Sequence, residues 1–204
     1  MIHKGNFPWP AVALLSLVLA AASSCGSGKA GYLTSPRNMT VTGSRGVATA
    51  TNASDPGGRH SFAFNTASIS GFPSGEVFLT GGGDFDAGIG FLKTGGAFRC
   101  TKDINQGPLA GCKAGEGVRW DAYEILPSTG FKCTGSAQEP LKTAFTNDNT
   151  IVMKADFYRQ GDGNVASFTA NLIISAVDLD PDEDGLQSVW LQGVGCGVGI
   201  VNFH

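Results

Sequence analysis

The chain has 204 residues, a formal net charge of −3 and 30 glycines, about twice the usual glycine share of roughly 7%. Charged residues make up 15% and hydrophobic residues 42%, which excludes a highly charged disordered chain, and the mildly acidic balance lacks the basic footprint of a nucleic-acid binder. The glycines have no every-third-residue period, so a collagen-like assembly is excluded as well.

In chain order, the first feature is a targeting segment. Lys4 supplies a positive start, Pro8-Trp9-Pro10 interrupts the chain, and Ala11 to Ala22 is an uncharged run of 12 residues. A bilayer-spanning helix needs about 20 residues, so the run fits the apolar core of a secretory signal. Residues 1–24 are therefore expected to be a signal peptide. Ala22-Ser23-Ser24-Cys25 resembles the lipobox of bacterial membrane lipoproteins, although Ala22 stands where Leu is usual. The resemblance covers four residues and implies a lipid such as palmitate on Cys25, which would become the mature N-terminus and tie the protein to the membrane on its extracytoplasmic side. The alternative is ordinary signal cleavage after Ala20-Ala21-Ala22 and a secreted protein. Residues 25–37, with Gly26-Ser27-Gly28, read as a flexible tether.

Residues 38–204 are long enough for one domain with its own core. Period-two alternation dominates this stretch and predicts half-buried strands. It is seen at Ser61–Asn65, Glu76–Thr80, Ile151–Tyr158 and Phe168–Ser175, with further strands expected at Ser188–Gln192 and Val198–Phe203. Gly161-Asp162-Gly163-Asn164 is expected to turn the chain between two of them. Gly81-Gly82-Gly83 and Gly95-Gly96 are expected at strand ends, and Asp121–Leu126 is expected to form a helical turn. The fold class is all-β: a single antiparallel sandwich or barrel of eight to ten strands.

Five cysteines are an awkward number for an exported chain. Setting Cys25 aside leaves Cys100, Cys112, Cys133 and Cys196, an even set. Pairing Cys100 with Cys112 and Cys133 with Cys196 is favoured, because turn residues Gly107-Pro108 and Gly111 lie inside the shorter loop. No C-x-x-C spacing suggests zinc.

Four constellations bear on chemistry. Asp180, Asp182 and Asp184 followed by Gly185 resemble the opening half of an EF-hand-type calcium loop, in which alternate carboxylates converge on one cation. The twelfth position is Leu191, however, and the competing reading is an acidic surface turn. Trp120 and Trp190, with Tyr123 and Tyr158, offer a stacking platform for a sugar or other planar ligand; the competing reading places them in the core. Asp84 with Asp86, or Asp121 with Glu124, supply carboxylate pairs of the kind a glycosidase needs. His60 reads as a solvated loop residue, and Cys196 as a disulfide partner in preference to a nucleophile.

The sequence thus points to a non-catalytic exported lipoprotein, a binding or structural module at the cell envelope, with no cofactor required and calcium the one metal to consider. The alternatives are an extracytoplasmic hydrolase-type enzyme or a small-ligand-binding β-barrel.

Overall fold

The computed structural model describes residues 58–204; the expected signal peptide, Cys25 and the expected tether lie outside the described residues. Among these residues ten strands form, every pairing antiparallel. They are β1 His60–Gly71, β2 Glu76–Asp86, β3 Phe91–Lys102, β4 Arg119–Ile125, β5 Ser128–Phe131, β6 Lys142–Phe145, β7 Thr150–Tyr158, β8 Phe168–Ser175, β9 Gln187–Leu191 and β10 Gly195–Phe203. Eight of them close in the order β1-β2-β3-β4-β7-β8-β9-β10 and back to β1, while β5 and β6 form a separate two-stranded hairpin. The architecture is therefore a closed barrel and not a sandwich.

Eight strands enclose a space just wide enough for side chains to fill, and the alternation supplies them. Ile151, Met153, Ala155 and Phe157 of β7 point inward and are fully buried, as are Leu172 and Ile174 of β8. Phe62 and Phe64 of β1, Val77, Leu79 and Phe85 of β2, Phe98 of β3 and Val189 and Leu191 of β9 complete the interior. Trp120 of β4 is its largest member; the indole N–H donates to the Thr80 carbonyl at 3.0 Å, which removes the penalty for burying that donor.

Close packing explains the glycines that the alternation did not place. Gly81–Gly83 lie within β2 and Gly95–Gly96 within β3, not at strand ends as expected. A Cβ on Gly81 would stand 2.7 Å from the Trp120 ring, and one on Gly96 would fall on the Thr80 carbonyl. At Gly81 the bare backbone is the space the indole occupies, and at Gly96 it is what lets β2 and β3 approach. The Gly161–Asn164 turn does join β7 to β8, with Gly163 at φ 61°. Asp121–Leu126 forms no helical turn: Asp121–Ile125 belongs to β4, paired with β3 and β7. The flanking strands satisfy its backbone groups, so the local helical preference is overridden.

One end of the barrel is closed by residues 103–118. Ile104, Leu109 and Cys112 are fully buried there, and the Cys100–Cys112 disulfide fastens the segment to β3. Among the described residues, no helix is long and apolar enough to cross a membrane.

Candidate functional site

The β5–β6 hairpin is inserted between β4 and β7 and lies on the outer face of the barrel. Beneath it is a second apolar cluster in which Phe131 and Ala144 of the hairpin meet Val152 of β7, Ile173 of β8 and Trp190 of β9. This is why Val152 and Ile173 are buried although they alternate out of the barrel interior. Trp190 donates its indole N–H to the Lys132 carbonyl at 2.7 Å, and Cys133–Cys196 pins the hairpin to β10. Both disulfides pair as the sequence suggests, and such bonds suit an oxidising, extracytoplasmic compartment.

A charged latch sits at the rim of this cluster. Lys142 of β6 holds Asp180 at 2.7 Å and Glu139 at 2.9 Å. The Asp180 side chain is 2% exposed and that of Glu139 9%. Burial by itself would raise the Glu139 carboxyl. Bonds from the Thr134 hydroxyl, Lys142 and the Cys133 and Thr134 amides overcome that and hold it at about 2. Burial likewise works against the Lys142 ammonium, but its bonds to Asp180 and Glu139 raise it above its ordinary value. Glu139 and Lys142 therefore keep their charges near neutral pH, and with Asp180 bonded to Lys142 the cluster suits fastening better than proton transfer, since a general acid or base works best with a pKa near ambient pH. One acceptor is left over: among the described residues, Asp180 Oδ1 is buried without a hydrogen-bond partner.

Beside the latch, β6 and residues 177–182 form the walls of an open groove of about 590 Å³. Leu141, Phe145 and Val177 bring apolar surface to it, and Asp178 and Asp182 bring carboxylates. Asp178 is itself a loop fastener, accepting the Asp180 and Gln187 amides at 3.1 and 3.0 Å.

The residues singled out in the sequence fall as follows. Asp180 turns inward to Lys142 while Asp182 and Asp184 stay exposed, so the three carboxylates do not converge. Among the described residues, the three metal-ligating side chains that do come within 4.8 Å of one another are Cys133, Glu139 and Asp180. Cys133 is spent on its disulfide and Glu139 is saturated by donors, which makes a poor cation cage. Trp120 and Trp190 are buried on opposite sides of the barrel wall, so they offer no shared stacking platform. Tyr123 is exposed, and Arg119 covers Tyr158 at 3.8 Å.

Asp84 and Asp86 share an outer face, but Asp86 accepts the Gly88 and Ile89 amides and serves the β2–β3 turn. Asp121 pairs with Arg119 and Glu124 with Lys154. His60 is not a free loop residue: it starts β1, stacks on Phe85 at 5.3 Å and lies 3.7 Å from Asp148. Lys142 and Glu139 escaped sequence reasoning. Their three-residue spacing is unremarkable, and the partner that gives them meaning lies 38 residues beyond Lys142.

Comparison with known proteins finds no match to a protein-family model, a curated protein or a solved structure.

Proposed function

We propose that the chain is a non-catalytic lipoprotein of the cell envelope, a binding or structural module held to the membrane by lipid on Cys25 and displayed on the extracytoplasmic side. The anchor rests on the resemblance of Ala22-Ser23-Ser24-Cys25 to a lipobox, and the observation that carries the binding or structural module is the filled barrel. From Phe62 and Phe85 near one end to Ile104 and Leu109 at the other, its interior is occupied by the protein's own side chains. A carrier of small ligands needs that space free, so the filling counts against the ligand-barrel alternative. The charged side chains that do gather are committed to holding loops. Surface recognition is what such a rigid, disulfide-tied body offers, and a lipid anchor on Cys25 would hold that surface at the membrane.

Fractionation of cells producing the wild type and Cys25→Ser tests the reading. The wild type is expected in the membrane fraction with incorporated labelled palmitate, and the variant in the soluble exported fraction without label. Continued membrane partitioning of Cys25→Ser would overturn the anchor.

A further inference from the structure

The outer edge of β6 is unpaired among the described residues. Among the described residues its strand partner is β5, and no backbone bond reaches Lys142–Phe145 from any other segment. The one side-chain bond to this backbone is given by Asn147 to the Phe145 carbonyl, at 3.3 Å. An open strand edge is a template for a further strand. Here it borders the groove against residues 177–182, whose size falls within the roughly 300–1,000 Å³ of ligand clefts. The four residues of β6 span about 13 Å, the length of an equally short added strand.

The surroundings specify what that strand should carry. Leu141 is 71% exposed, Phe145 61% and Val177 53%, a high exposure for large apolar side chains gathered around one groove. They offer pockets for alternate apolar residues of an extended chain. The polar lip is acidic: Asp178 and Asp182 line it, and Glu183 and Asp184 stand exposed next to them. The lone cation among the lining residues, Lys142, is already committed to Glu139 and Asp180. The field in the groove is therefore negative. Residues 58–204 carry ten Lys and Arg against sixteen Asp and Glu, so the longer-range field has the same sign and steers cations inward. A second copy of this chain fits poorly, because pairing two β6 edges would bring two acidic 182–184 loops together.

We propose that the groove between β6 and residues 177–182 binds an extended, lysine- or arginine-bearing segment of a partner protein, which adds to β6 as a third strand. Main-chain bonds to the free edge hold the segment, Leu141, Phe145 and Val177 take its apolar side chains, and Asp182 and Asp184 take its cation. The Cys133–Cys196 bond and the Lys142 latch hold both walls in place beforehand, so little ordering is required on binding. The proposal rests on the reading of the chain as a binding module and names the site.

The test is selection from a random seven-residue peptide library on the full exported chain, followed by titration of the enriched peptides. Expected are peptides with at least one Lys or Arg beside β-branched or aromatic residues. Their affinity should fall at least tenfold in Phe145→Glu and in Asp182→Lys, and stay within twofold in Asp156→Lys, which makes the same charge change on the outer face of β7. Binding should also slow amide exchange in β6. No enrichment, enrichment of neutral or acidic peptides, or an equal loss in Asp156→Lys would overturn the proposal. So would a doubled mass of the full chain that Phe145→Glu abolishes, since the occupant would then be a second copy. Palmitate labelling of the same preparation is scored separately, so failure of this site is distinguishable from failure of the envelope reading.

Discussion

Replacing Lys142 with Met keeps the apolar stem and removes the charge, and the structure sets the size of the effect. The ammonium lies 2.7 Å from an Asp180 carboxylate that is 2% exposed and 2.9 Å from a Glu139 carboxylate that is 9% exposed. Without it, two neighbouring carboxylates are left with little water and no countercharge. Removing one partner of a buried pair costs about 3–5 kcal/mol. The Lys142 side chain is itself 18% exposed, so water can enter beside it and the lower end applies, about 3 kcal/mol. At roughly 2–4 °C per kcal/mol for a domain of this size, Tm at pH 7 should fall by about 6–12 °C.

The pH dependence is more diagnostic. In the wild type Glu139 sits at about 2, below its ordinary 4.5. The unfolded chain therefore binds more protons than the folded one between those values. The stability contributed by Glu139 is complete above pH 4.5 and is lost as pH falls toward 2. In Lys142→Met the Glu139 carboxyl moves back up, so this loss is smaller and the gap between the two proteins narrows in acid. A thermal melt at pH 7 reads the first quantity, and urea denaturation at pH 7 and near pH 3.5 reads the gap between the two proteins. A Tm change below about 2 °C at pH 7, or an equal gap at the two pH values, would refute the reasoning.

Removing the longer disulfide with Cys133→Ala/Cys196→Ala opens a 63-residue closure, which the chain-entropy model values at about 4 kcal/mol. Limited proteolysis should then cut first within residues 134–141, with Trp190 emission shifting to the red, while the barrel stays resistant. Trp120→Ala should cost about 3–5 kcal/mol in denaturant titrations, because the fully buried indole fills the space above Gly81. Gly81→Val, placed against the same ring, should leave little folded protein, and recovery of normal yield and Tm would contradict the packing described. Millimolar calcium against chelator should leave Tm unchanged, because Asp180 is occupied by Lys142 and Asp182 and Asp184 face solvent; a clear rise would show that the 180–184 loop rearranges to bind it.

Much of the barrel was legible in one dimension. In β7 and β8 every second residue is apolar, and those are the residues that fill the interior. The cysteine pairing was also legible, since turn residues between Cys100 and Cys112 favour a short closure and leave Cys133 for Cys196. Such signals are local, carried within a strand or across one loop, so a sequence records them directly.

What depended on contacts far apart in the chain was not recorded. Closure into a barrel joins β1 to β10, and nothing within either strand specifies a partner at the other end of the domain. The β2 and β3 glycines read as turn residues because what keeps them bare arrives from elsewhere in the chain: the Trp120 ring of β4 at Gly81, and the carbonyls of neighbouring strands at the others. Asp180 reads as the start of a calcium loop because its neighbours are acidic; only packing brings Lys142 from the hairpin to claim it and leaves the groove beside it open. The sequence by itself determined β1, β2 and β7 to β10, the faces they turn to the interior and the disulfides, because backbone period and loop closure are short-range. The tertiary structure decided closure, the hairpin's place and the composition of the site, because a side chain's role there is set by whichever distant group packs against it.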